Sequence, residues 1–201
     1  INATIMGTSG QDLGASVILS NDGNIVAVGS SVNSTVGYIQ IFQNTSGSTW
    51  QQLGGNLDGG ANSNNSDQTG STIAMNGNGT IIAFSGYQAL AGGVDNNGYV
   101  QIYEWNGLSW IELGTFLGSN NESLGFSISL NNAGNILAIS SYNYNAPHNG
   151  KVYIYQYNGV SWQQIGQTIE GVNNERLGEY IKLNDDGTII TITDAETSSR
   201  A

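Results

Sequence analysis

Carboxylates, ring hydroxyls and one imidazole are the groups in this chain that could do chemistry. Asp58, Asp67 and Asp95 stand in stretches rich in Gly, Asn and Ser, as do Tyr87, Tyr142, Tyr144 and the single histidine, His148. Tyr and Asn stack and hydrogen-bond at modest entropic cost, which suits contact with a carbohydrate or a protein surface. A Ser/His/Asp arrangement would have to use His148, which follows Pro147 in a loop. Glycoside cleavage needs two carboxylates at a defined separation, and no acidic residue recurs at a strand end beside a partner acid. No arginine cluster offers itself to an anionic substrate. These residue types point to binding without catalysis, and to no metal or cofactor.

The composition narrows the classes further. Fifteen Asp and Glu against four Lys and Arg give a formal net charge of −11 over 201 residues. Four cations cannot neutralise a phosphate backbone, so nucleic acid is excluded as a partner. With no Cys there is neither a disulfide framework nor a thiolate metal site. No apolar run approaches the ~20 residues of a spanning helix. Only 9% of residues are charged, so the usual supply of Glu, Lys and Arg for helix surfaces is missing. Gly, Asn, Ser and Thr are abundant instead, and they favour turns and strands.

The elements that would position the candidate residues come from an internal repeat. Leu13-Gly14-Ala15-Ser16-Val17-Ile18-Leu19 leads through Asn21-Asp22-Gly23-Asn24 to Ile25-Val26-Ala27-Val28. The pattern returns from Gly70, from Leu124-Gly125 and from Leu177-Gly178, so that Gly14, Gly70, Gly125 and Gly178 are 56, 55 and 53 positions apart. A second half follows the first three copies: Gly37-Tyr38-Ile39-Gln40-Ile41-Phe42, Gly98-Tyr99-Val100-Gln101-Ile102-Tyr103 and Gly150-Lys151-Val152-Tyr153-Ile154-Tyr155. Trp50, Trp110 and Trp162 then open matching short segments. Each repeat therefore holds four short segments, A to D, rich in Val, Ile, Tyr and Phe and bounded by Gly and Asn. Asp-Gly and Asn-Gly at the A–B and C–D joints supply tight-turn chemistry.

Four antiparallel strands at a period near 55 describe a propeller blade. The expected fold is all-β, a single β-propeller (in part) over 1–201. Its blades fall near 8–59, 60–118 and 119–171, with a half blade at 172–194. Three and a half blades do not close a ring, so we expect either a segment of a larger propeller or a ring completed by further copies. The repeated tryptophans are expected to pack between blades.

The repeat, Leu-Gly-x-Ser through Asp-Gly-[Asn/Thr]-Ile to Gly-x-[Val/Ile]-x-Ile-[Tyr/Phe] and Ser-x-Trp, resembles the FG-GAP-like repeats of integrin-α-type propellers over Ile5 to Asp194. The resemblance implies extracellular or cell-surface display, recognition and adhesion. Integrin-type blades hold calcium in a carboxylate-rich A–B loop. Here Ser20-Asn21-Asp22-Gly23 and Asn184-Asp185-Asp186-Gly187 are too short and too poor in carboxylates for the 6–8 oxygens calcium takes, so calcium is not expected.

The long D–A and B–C connections share one face, which makes that face the candidate site. Asp58, Asp67, Tyr87, Asp95, Tyr142, Tyr144 and His148 fall there. The functional expectation is a non-catalytic recognition or adhesion module for a protein or glycan ligand. The alternatives are a structural block of a surface filament, coat or virion, and an accessory propeller of a secreted enzyme. Asn-x-Ser/Thr triplets at Asn2, Asn33, Asn44, Asn64, Asn78 and Asn121 are possible glycosylation sites in a secretory setting.

Overall fold

A computed structural model describes residues 4–7, 12–31, 37–47, 49–59, 68–87, 96–119, 121–141, 149–172 and 176–194. The described residues form strands and turns with no helix. The first sheet contains β1 (Leu13–Leu19), β2 (Ile25–Ser30), β3 (Tyr38–Asn44), β4 (Trp50–Gln52) and β5 (Leu57–Asp58). The second contains β6 (Thr72–Met75), β7 (Ile81–Gly86), β8 (Tyr99–Trp105) and β9 (Trp110–Leu117). The third contains β10 (Leu124–Leu130), β11 (Ile136–Ser141), β12 (Lys151–Tyr157), β13 (Trp162–Gln164) and β14 (Ile169–Glu170). The last pairs β15 (Ile181–Leu183) with β16 (Ile190–Ile192). Strand order follows the sequence through the third strand of each full sheet; β4 and β5 then both pair with β3, and β13 and β14 both with β12, as two halves of one outer strand, and the pairs are antiparallel. This is the propeller-type architecture of three four-stranded blades and a hairpin that the repeat predicts.

The turns explain why each A–B pair forms. Asn76, Asn131 and Asn184 each accept a hydrogen bond from the main-chain N–H five residues on, at 2.8, 3.0 and 2.9 Å. Ser20 does the same for Ile25 in the first blade, at 2.9 Å. The staple satisfies a donor at the strand entry that would otherwise be costly to bury. Asp22 then accepts from the Ser20 hydroxyl and from the main-chain and side-chain N–H groups of Asn24. These bonds hold the Asp22 carboxyl down at about 2, with the Ser20 hydroxyl the largest cause. Asp186 is lowered in the same way by Thr188.

Blades pack face to face in chain order. We call the side of a blade turned toward the next one its forward face, and the opposite side its rear face. Ile25, Ala27, Ile39 and Ile41 on the forward face of the first blade meet Met75, Ile82, Phe84 and Tyr99 on the rear face of the second. Ala83, Val100 and Ile102 meet Leu130, Leu137 and Ile139 in turn, and Ala138 and Val152 meet Ile181 and Leu183. Each such large side chain contributes about 1.5–3 kcal/mol of burial. Trp110 lies in the first of these interfaces and donates its indole N–H to the Leu53 carbonyl at 2.8 Å. Trp162 packs into the second.

The innermost strands, β1, β6, β10 and β15, are tied to one another at their C-terminal end by a main-chain ladder. Asn21 donates to the Gly77 carbonyl, Gly77 to Asn132 and Asn132 to Asp185, at 2.8, 2.9 and 2.9 Å. Asn21 also reaches past Gly77 to hydrogen-bond the Asn132 side chain at 2.7 Å. A Cβ on Gly77 would lie 1.8 Å from Asn132 Oδ1, so only glycine lets the three turns converge.

Candidate functional site

The opposite end of the same four strands is open. A cavity of about 390 Å³ lies there, lined by Ser16 of the first blade, Ser71, Thr72, Ile73 and Tyr87 of the second, Phe126 and Ser127 of the third, and Glu179 and Tyr180 of the last. Its position follows from the repeat. Gly14, Gly70, Gly125 and Gly178 mark the entries of the four innermost strands, and the residues after these glycines face one another near the axis.

Most hydroxyls in this cup hold blades together. Ser16 donates to the Gly70 carbonyl at 2.6 Å, and Thr72 donates to the Phe126 carbonyl at 3.2 Å. The Ile181 N–H donates to the Ser127 hydroxyl at 3.2 Å. Ser71 is different: its hydroxyl is buried and has no hydrogen-bond partner in the protein. Buried polar atoms nearly always have one, so this hydroxyl is available to a ligand or an ordered water. Tyr87 stands edge-on to Phe126, with ring centroids 5.3 Å apart. Tyr180 is 69% exposed at the rim. The described lining therefore offers hydroxyls, aromatic surface and the Glu179 carboxylate, with no cation.

Of the residues singled out from sequence, Tyr87 is part of this cup. Asp58 is not: it is an exposed residue of β5, paired with Tyr38 at the outer side of the first sheet. There its charge, after burial and the charge of Glu112, helps to raise the Tyr103 hydroxyl to about 12. Asp67, Asp95, Tyr142, Tyr144 and His148 lie outside the described residues. Asn2, Asn33 and Asn64 do so as well, whereas Asn78 is exposed and Asn44 and Asn121 are half-buried. Asn44 and Asn78 use their side-chain oxygens to cap turns, accepting from Gly47 at 2.7 Å and from Thr80 at 3.1 Å. Ser16, Ser71, Thr72, Phe126, Ser127, Glu179 and Tyr180 are not among the candidates that residue type and loop position suggest. Their common position one or two residues after Gly14, Gly70, Gly125 or Gly178 is the available signal.

One D–A connection has its own anchor. Glu122 accepts from the Tyr153 hydroxyl, and its main-chain carbonyl accepts from Ser141 at 2.6 Å. Burial first, and the Glu122 bond second, push the Tyr153 hydroxyl well above its usual range. This is a structural clamp, since both groups are committed to each other. Among the described residues no three of His, Cys, Asp or Glu gather closely enough to hold a metal ion.

Fold and cup together define a propeller-type scaffold with an axial recess on its loop side. A solved structure agrees with the fold. A candidate 6-phosphogluconolactonase from Bacteroides fragilis superimposes with a TM-score of 0.53 at 12% identity, covering 89% of this chain and 41% of that one. A second candidate 6-phosphogluconolactonase, from Bacteroides uniformis, gives 0.49 at 12% identity over 91% and 64% of the two chains. A fucose lectin from Kordia zhangzhouensis, solved with methyl-fucoside, gives 0.38 at 15% identity over 76% and 98%. The chain thus spans less than two thirds of the length of each of the first two. No protein-family model matches it, and no curated protein is significantly similar to it.

Proposed function

We propose that this chain is a non-catalytic recognition module that binds a neutral glycan in the axial cup and the loops around it. The observation that carries the reading is the buried, unpartnered Ser71 hydroxyl in a recess that also presents Tyr87, Phe126 and Tyr180. Aromatic surface packs against the apolar face of a sugar ring, while hydroxyl and carboxylate groups take its hydroxyls. The lack of a cation in the described lining favours neutral sugars over phosphorylated or acidic ones. We place the module outside the cell or on its surface, in an FG-GAP-like setting, because of the repeat pattern and the acidic, cation-poor composition.

Titration calorimetry following a screen of neutral oligosaccharides tests this. Saturable binding that weakens tenfold or more in Tyr87→Ala, at an unchanged melting temperature, is the expected result, tenfold being about 1.4 kcal/mol. Absence of binding to every neutral sugar, or binding untouched by changes in the cup, contradicts it.

A further inference from the structure

An Asn-Gly pair leaves a side-chain amide open to attack by its own chain, because no Cβ shields the glycine nitrogen. The chain has six such pairs, and the fold closes four of them. Gly77 donates its N–H to the Asn132 carbonyl at 2.9 Å, and Gly79 donates to the Asn76 carbonyl at 3.1 Å. The nitrogens that follow Asn76 and Asn78 are therefore committed. Gly98 and Gly150, which follow Asn97 and Asn149, are buried. A Cβ on them would lie 2.3 Å from the Leu124 carbonyl oxygen and 2.1 Å from that of Leu177. The other two pairs stand at the same place in consecutive blades, the C–D turns. Asn106, Gly107, Asn158 and Gly159 are all exposed. Neither glycine donates its N–H to another described residue, and neither has anything within 4 Å of a Cβ position. In both turns the Asn side-chain oxygen accepts two main-chain N–H groups. Asn106 Oδ1 accepts from Leu108 and Ser109, and Asn158 Oδ1 from Val160 and Ser161, each at 2.9 Å.

We propose that Asn106-Gly107 and Asn158-Gly159 are self-modifying sites, at which the folded chain converts asparagine to aspartate and isoaspartate. The glycine nitrogen gives up its proton and attacks Asn Cγ. As that C–N bond forms, negative charge gathers on Oδ1, where the two N–H donors already point. The Cγ–Nδ2 bond then breaks, and Nδ2 leaves with the proton as ammonia, so that a cyclic imide remains. Water opens the imide. Cleavage at Cγ gives aspartate, and cleavage at the Asn main-chain carbonyl gives isoaspartate, with the chain running on through Cγ. One water enters and one ammonia leaves, with no oxidant or reductant. Water reaches both turns, because the neighbouring Leu108 and Val160 are 84% and 86% exposed and cover nothing. An aspartate still accepts from the two N–H groups, now with charge. An isoaspartate lengthens the main chain by a methylene and displaces that acceptor. Each event adds one negative charge at the turn end of its blade, away from the axial cup, so the inference does not rest on the glycan reading.

Peptide mapping by mass spectrometry tests the inference, on the chain held in mildly alkaline buffer and on the same chain held in urea. In the native protein, conversion at positions 106 and 158 should outpace that at 76, 78, 97 and 149 by about tenfold or more, since the four closed pairs must first open locally. Both rates should rise with pH, because the attacking nitrogen gives up a proton. In urea the contrast among the six pairs should collapse, which separates an effect of the fold from one of the dipeptide. Native rates at 106 and 158 no faster than at the closed pairs, or no conversion there while the unfolded chain converts, overturn the inference.

Discussion

The two ends of the axis are built from the same four strands and serve opposite purposes. At the turn end every repeat spends its polar groups internally: staples at Ser20, Asn76, Asn131 and Asn184, then the ladder from Asn21 to Asp185. At the loop end the hydroxyls are only partly used, and Ser71 has no partner. The comparison teaches that a repeat can fix its geometry at one end and leave chemistry to the other. Substitutions should divide accordingly, those at the turn end and in the blade interfaces changing stability and those in the cup changing binding.

The largest effect is expected between the ends, in the blade interface they share. Phe84 is fully buried between the first and second blades, and Phe84→Ala should cost about 3–5 kcal/mol, read as a lower midpoint in chemical unfolding. At the turn end, Gly134→Ala should cost about 1–3 kcal/mol. It forces a side chain to φ 78° and places a Cβ 2.8 Å from the Ile81 side chain. Neither this change nor Asn131→Ala, which removes a buried staple worth about 1–3 kcal/mol, should alter ligand affinity in calorimetry while the protein stays folded. In contrast, Ser71→Ala should leave stability within about 0.5 kcal/mol, since no hydrogen bond is lost. The same affinity change from both ends would erase the distinction.

The smallest effect is one of pH. The Asp22 carboxyl lies below its ordinary value, so its folded environment favours the charged form. The stability it contributes is present above about pH 4 and is lost as pH falls toward about 2. A carboxyl titration followed by NMR should show the low midpoint in native protein, and Ser20→Ala should raise it.

The blades were legible in the sequence because each joint is marked by residues with few other uses: Gly at positive φ in the turns, and Gly14, Gly70, Gly125 and Gly178 at the entry of each innermost strand. The outer strands were less legible. Leu53-Gly54 and Ile165-Gly166 break the outer strand, with Gly54 and Gly166 at φ 78° and 70°. The equivalent Leu113-Gly114 stays in β9, where Leu113 forms a bulge and Gly114 pairs with Ile102. Because glycine accepts both conformations, the neighbours decide between them and the dipeptide does not. The cup was harder still. Ser16, Thr72, Ser127 and Tyr180 share one register position and a hydroxyl each, but such hydroxyls are common throughout this chain, and these become a site only where four strands meet. Of the residues that loop position suggests, Tyr87 lines the cup and Asp58 sits on an outer strand.

The most direct test of the difference between the ends is a structure of the chain with a neutral oligosaccharide that binds it, or amide shift mapping during its titration. The account predicts contacts and shifts at Ser71, Thr72, Tyr87, Phe126 and Tyr180, with Asn21, Gly77 and Asn132 unmoved. A ligand seated on the turn end, or on the outer strands away from the axis, would contradict it.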